Sequence, residues 1–301
     1  MIQTRPVRGV VPVLATPFTR EGDIDEPALR RLVESLVTLD IGGLWVLGTG
    51  SEDMNLSFAK RLQVARTVTG VNAGRVPLIL GAAFFAMEDI LAFVEETQDL
   101  EFDAYHVMPY HFLLGFDRLA RFYEDIANAC SRPLWMYTSA NWSKPFTPDF
   151  VARMKPHPNI AGVKFSTKNA VDMLSVIDMA EEGFQVITAV ASQFYACLGM
   201  GSQAHTSSLG SALPKAMMEI YDHFQAGRLA EAREAQRKLN AFLKAWPKRL
   251  KEDNFLQAAQ EKFILSLRGI CLPHVSSYYA EVNEEEKKTI QELLVQYGYG
   301  G

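Results

Sequence analysis

The chain has 301 residues, 48% hydrophobic and 22% charged, with a formal net charge of -5. That length suits one large α/β domain or two smaller ones, and mild acidity without a Lys/Arg-rich block removes the electrostatic footprint of nucleic-acid or anionic-membrane binding. No uninterrupted apolar stretch approaches the roughly 20 residues that span a bilayer. Three scattered cysteines, Cys130, Cys197 and Cys271, lack metal-ligand spacing and cannot all pair within one chain, which points to a reducing cytoplasm.

The N-terminal "GVVPVLATPF" carries Pro12 and Pro17 and runs directly into charged, periodic sequence, so it reads as a first strand rather than a signal segment. Further strand signals follow at 43–48, 76–83, 104–109, 133–138, 160–166, 184–190 and 204–210. Helical periodicity appears near 26–39, 57–72, 86–98, 116–130, 147–155, 168–182 and 192–199. Strands alternating with helices imply parallel pairing through right-handed crossovers, and eight such strands close a (β/α)8 TIM barrel. An open doubly wound sheet would commonly offer a glycine-rich fingerprint after its first strand, and "ATPFTREGD" has none. The barrel is assigned to residues 1–225. An appended C-terminal helical region, 226–301, carries apolar stripes in 227–246 and 283–298, with Asn283 as N-cap of the second, and is expected to pack on the barrel.

Chemistry in such a barrel belongs at the C-terminal ends of its strands. There the sequence places Thr49 and its neighbours, Tyr110 and His111, Tyr137, and Lys164. Lys164 interrupts the apolar run Ile160, Ala161, Gly162, Val163, Phe165. A lysine held in a barrel mouth loses hydration, its pKa falls, and its neutral amine can attack a carbonyl carbon to form a Schiff base. A phenol such as Tyr137 is suited to carry the protons. Equally, a strand-end lysine can snorkel to solvent or pair with a carboxylate, and a buried tyrosine can serve packing alone.

Four stretches, "GVVPVLATPFTREGDID", "GLWVLGTGSEDMNLSFAKR", "PLWMYTSANW" and "HPNIAGVKFST", occur in an order and spacing that resembles the dihydrodipicolinate synthase/N-acetylneuraminate lyase superfamily, from about residue 7 to the C-terminus. The resemblance implies that Lys164 is the Schiff-base lysine, Tyr137 the proton-transferring tyrosine, and Thr49 its relay. It implies that the backbone of Gly48, Thr49, Gly50 and Ser51 holds the carboxylate of a 2-oxo acid such as pyruvate, that Glu52 fixes this loop, and that Thr206 and Ser207 lie beside the site. No metal and no cofactor is implied, and relatives of this kind assemble as homotetramers, a dimer of dimers.

The chain also departs from that family. The loop reads "GTGSE" where "GTTGE" or "GSTGE" is usual, so a hydroxyl has become Gly50 and a glycine Ser51. His111, after Tyr110, stands where lysine-pathway synthases lend a tyrosine to the neighbouring subunit, and either relays a proton or packs at an interface. Trp142 stands where those synthases grip a carboxylate with arginine, and "TAVAS" (188–192) lacks the acids of sialate lyases. Asn141 resembles the asparagine of 5-keto-4-deoxyglucarate dehydratases. The expectation is therefore a class I lyase of aldolase type acting on pyruvate or another 2-oxo acid with an aldehyde. A 2-oxo sugar-acid dehydratase and a non-catalytic 2-oxo acid binder remain as alternatives.

Overall fold

The computed structural model describes residues 5–139, 142–253 and 257–300. Eight short strands form its centre: β1 (Gly9–Pro12), β2 (Leu44–Val46), β3 (Leu78–Gly81), β4 (Ala104–Val107), β5 (Leu134–Tyr137), β6 (Ile160–Phe165), β7 (Gln185–Ala189) and β8 (Ala204–Ser207). Every neighbouring pair from β2 to β8, and β8 with β1, is parallel. A bridge between Val13 and Trp45, with the Leu14 N–H donating to the Trp45 carbonyl at 2.9 Å, brings β1 back to β2 and closes the ring. Apart from Gln185 and Ser207, every strand residue is buried, as expected for a parallel sheet covered on one face by helices and on the other by its own interior.

The helices follow in the expected places: α1 (Glu26–Val37), α2 (Phe58–Asn72), α3 (Met87–Thr97), α4 (Phe116–Ala129), α5 (Pro148–Met154), α6 (Ala170–Ile177) and α7 (Phe194–Gly199). Local chemistry sets their starts. Asp25 caps α1 through the Ala28 N–H at 3.0 Å, and Thr147 and Asn169 cap α5 and α6 in the same way. Strand eight is shorter than its sequence signal, because the chain turns at Ser208 into α8 (Leu209–Ala212), after which Pro214 opens α9 (Pro214–Gln225). Then come α10 (Leu229–Ala245), α11 (Arg249–Asp253), α12 (Ala258–Leu267) and α13 (Glu284–Gln296), the last closed by a reciprocal Asn283/Glu286 capping box. Among the described residues no helix is long and apolar enough to cross a membrane.

The barrel interior beneath the strand ends is a packed aromatic floor. Trp45 stacks on His106 with ring centres 4.2 Å apart, and meets Trp135 edge-on at 6.1 Å. Glycines on neighbouring strands make the room. A Cβ at Gly81 would collide with the Leu47 carbonyl oxygen and lie 2.8 Å from the His106 ring, and one at Gly162 would lie 2.5 Å from the Gln185 carbonyl oxygen and 2.9 Å from Trp135. Burial lowers the His106 pKa to about 3, so its ring is neutral, and its Nε2 donates to the Val46 carbonyl at 2.9 Å.

Gly162→Ala should therefore destabilise the fold by about 1–3 kcal/mol, the usual range for overpacking a tight core. Thermal unfolding checks this, and an unchanged melting temperature would mean the floor has slack.

Candidate active site

The register of β5 against β6 makes Tyr137 and Lys164 direct neighbours on the barrel wall. The Lys164 ammonium lies 3.9 Å from the centre of the Tyr137 ring and 5.4 Å from that of Trp45. Lys164 is only 5% exposed and forms no ion pair with any described residue. Burial pulls its pKa from 10.5 down to about 7, with the negative charge of Asp53 opposing the fall. Near neutral pH a large share of the amine is uncharged, which is the state a nucleophile needs.

The Tyr137 hydroxyl is hydrogen-bonded to Thr49 Oγ1 at 2.8 Å. Burial pushes the phenol well above its ordinary range, so it stays protonated and can donate. Thr49 opens a 3-10 turn, Thr49–Ser51, that follows the extended Gly48. Within it the Gly48 N–H donates to Ser51 Oγ at 3.2 Å and the Ser51 N–H to the Gly48 carbonyl at 2.8 Å. The N–H groups of Thr49 and Gly50 have no partner among the described residues.

The unusual loop sequence now has a physical reason. A Cβ on Gly50 would fall 2.7 Å from the Ser208 Cβ, so the residue before α8 fills the space that a side chain at position 50 would need. Ser51 uses its hydroxyl inside the turn, and its carbonyl accepts from Thr16 Oγ1 at 2.7 Å. Glu52 then takes a left-handed conformation, with φ of 59°, and turns away from Lys164 into the C-terminal helices. It forms an ion pair with Lys262 of α12, both side chains 1% exposed, and accepts from the Ser276 N–H at 2.7 Å. Next to it, Glu261 accepts from Ser208 Oγ at 2.9 Å, and burial raises its carboxyl pKa to about 8.

Asp53 follows in a second 3-10 turn and accepts a short hydrogen bond from the Tyr110 hydroxyl. Tyr110 is thus brought into the buried polar set, whereas His111 is half-buried with its Nε2 bonded to the Phe85 carbonyl at 2.8 Å. Thr206 is buried with Oγ1 unpartnered, and Ser207 caps the following turn through the Leu209 N–H at 3.2 Å. Trp142 is half-buried and packs against the core in the turn after β5, its backbone N–H donating to the Ser139 carbonyl at 3.0 Å. Asn141 lies outside the described residues. A cavity of about 120 Å³ lined by Thr167, Lys168, Asn169 and Cys197 lies just past β6 and includes none of these groups. Among the described residues no cluster of His, Cys, Asp and Glu is placed to hold a metal ion.

Sequence reasoning missed Asp53, His106 and the Glu261/Lys262 pair of α12. The signal available for the last was "AAQEKF", where charged residues stand in a helix that is buried nearly all round.

Removing one member of the Glu52–Lys262 pair should leave a buried charge uncompensated. Glu52→Gln or Lys262→Met should each cost about 3–5 kcal/mol, and the double replacement Glu52→Leu/Lys262→Met should recover most of it. Urea denaturation midpoints check this. A double-variant loss equal to the sum of the single losses would mean that the pair does not act as a unit.

The chain resembles known proteins over nearly its whole length. The probable 2-dehydro-3-deoxy-D-pentonate aldolase of Escherichia coli (strain K12) is 23% identical over 96% of this chain and 97% of its own length. A 4-hydroxy-tetrahydrodipicolinate synthase of Salinibacter ruber is 30% identical over 79% of this chain and 80% of its own. Among solved structures, a Ruminococcus gnavus sialic acid aldolase, a catalytic lysine mutant, superposes with a TM-score of 0.90 at 20% identity, covering 98% of this chain and 96% of that one. A prophage protein from E. coli K12 in complex with pyruvate gives 0.88 at 22% identity, covering 97% and 99%. The sequence profile of the Dihydrodipicolinate synthetase family matches residues 6–297, and the chain belongs to that family.

Proposed function

We propose that the protein is a class I lyase of aldolase type, which joins pyruvate or a related 2-oxo acid to an aldehyde, or cleaves the product, through a Schiff base at Lys164. The observation that carries this reading is a fully buried lysine with its pKa near 7, packed against a tyrosine whose hydroxyl is already bonded to Thr49. The neutral amine adds to C2 of the 2-oxo acid, and the carbinolamine loses water as Tyr137 protonates the leaving hydroxyl. In cleavage, the protonated imine accepts the electron pair of the C3–C4 bond while the C4 hydroxyl gives up its proton towards Tyr137 and Thr49. The aldehyde leaves, the enamine takes a proton at C3, and water releases pyruvate and the free amine. Condensation is the reverse.

The free N–H groups of Thr49 and Gly50 are suited to the substrate carboxylate, as paired backbone donors at a turn are. Thr206, with its unpartnered hydroxyl, and Ser207 belong to the substrate-facing wall in this reading. The three buried free cysteines fit a reducing cytoplasm. The exposed apolar side chains Phe85, Phe112 and Leu113 beside His111 support a subunit interface and a homotetramer.

With pyruvate, borohydride should trap an adduct on Lys164 alone, and Lys164→Arg should abolish it. The trapping rate should rise with pH through about 7, falling about tenfold for each pH unit below, because only the neutral amine reacts. Tyr137→Phe should keep trapping while cutting turnover by roughly a hundredfold. Labelling at another lysine would remove this mechanism.

Trp142 bears on the second substrate. Where a carboxylate-gripping arginine is absent, a charged acceptor forfeits a bond worth about 1.5–3 kcal/mol, so uncharged hydroxyaldehydes should outperform aspartate semialdehyde. Comparing kcat/KM for both acceptor types in wild type and Trp142→Arg checks the preference. Equal or better use of aspartate semialdehyde by the wild type would overturn it.

A further inference from the structure

Two buried groups of opposite charge stand near one another without pairing. Lys164 has no ion-pair partner among the described residues. Asp53 is 1% exposed, likewise forms no ion pair with any described residue, and uses one carboxylate oxygen on the Tyr110 hydroxyl while Oδ1 has no hydrogen-bond partner among the described residues. A buried carboxylate is normally satisfied on both oxygens or paired with a cation, so an orphaned oxygen calls for an occupant.

Burial raises the Asp53 pKa, and the charge of Arg61 on α2 opposes that rise and favours the carboxylate, although its guanidinium is bonded to the carbonyls of Ala83 and Leu56 and lies 4.1 Å over the Phe84 ring. Tyr110 and the Met54 N–H hold the other side of the carboxylate, and Tyr279 feels its charge from the C-terminal segment. Glu52, the adjacent acid, is consumed by Lys262. Around Lys164 the neighbours are the Tyr137 phenol and the neutral imidazoles of His106 and His205, none of which carries a negative charge at neutral pH. Asp53 is therefore the acid whose charge bears on Lys164, and it also bears on Tyr110 and Tyr137.

We propose that Asp53, held by Tyr110, is the counter-carboxylate for the cation that forms at Lys164, first as ammonium and then as protonated imine. This inference rests on the Schiff-base reading above. Asp53 acts through Lys164 and is a positioning residue. Its charge stabilises the iminium that draws electrons from C3. The arrangement also explains why one loop supplies both Thr49 and Asp53: each residue engages a tyrosine from one of two adjacent strands, Tyr137 at the end of β5 and Tyr110 just after β4.

The test measures pyruvate–borohydride trapping on Lys164 against pH in wild type, Asp53→Asn and Tyr110→Phe. It is combined with exchange of the pyruvate methyl protons in deuterium oxide, followed by NMR. Losing the carboxylate charge should move the trapping midpoint down by about one pH unit or more, the size that a nearby charge commonly confers. It should also slow methyl exchange about tenfold or more at pH above the wild-type midpoint, where the imine in the variant is less protonated. Tyr110→Phe raises the carboxyl's own affinity for a proton, so it should shift the midpoint the same way by less, and it serves if Asp53→Asn does not fold. A merely loosened structure would lower trapping at every pH and leave the midpoint in place. Trapping with an unmoved midpoint in the folded variants would overturn the role of Asp53 alone, whereas absence of trapping in wild type would overturn the Schiff-base reading as well.

Discussion

Holding a lysine amine out of water is the constraint on which the rest of this molecule depends. A fall in pKa from 10.5 to about 7 corresponds to roughly 5 kcal/mol of disfavour for the charged form. The barrel supplies that environment by geometry. Lys164 projects from a strand buried on both faces, above a floor of Trp45, His106 and Trp135, with the Tyr137 ring against its ammonium. The glycines at 81 and 162 make so dense a floor possible, because side chains there would collide with it. The substitution pattern of the interior and the reactivity of the amine are one problem with one solution.

The loop after β2 carries the other half of the site, and it would be a poor platform if held only by its own turns. Instead its two acids point in opposite directions. Glu52 goes outward to Lys262 and the Ser276 N–H, tying the loop to α12 and the segment before α13, while Asp53 goes inward to Tyr110. Ser208 joins the same anchorage from the end of β8 by bonding to Glu261 and packing on Gly50. The C-terminal segment thus helps to position the Thr49–Ser51 turn more than 200 residues earlier in the chain, as the separation of 224 residues between Glu52 and Ser276 shows. Buried ion pairs add little net stability over apolar packing but fix geometry strongly, and here geometry is what the site needs.

Much of this was legible in the sequence, for reasons that can be stated. All eight strands announce themselves as short apolar runs between helical periods, and Lys164, Tyr137 and Thr49 stand out because their chemistry is foreign to buried strand ends. The structure brings those three together. The rest was hidden because it depends on contacts between distant segments. Nothing local to "GTGSED" says that Gly50 answers to Ser208 or that Glu52 and Asp53 diverge. Likewise α12 has no clear polar face, since Gln260, Glu261 and Lys262 are all buried, so periodicity could not reveal it. His111 occupies a position that resemblance marks as important, yet its imidazole is taken by the Phe85 carbonyl.

The most direct measurement of the central claim is the titration of the Lys164 amine itself, read by trace acetylation of the substrate-free enzyme across pH with the label at each lysine quantified by mass spectrometry. Lys164 should acquire label with a midpoint near pH 7. A Lys164 midpoint at or above 10 would contradict the proposed role, since only about one amine in a thousand or fewer would then be neutral at pH 7.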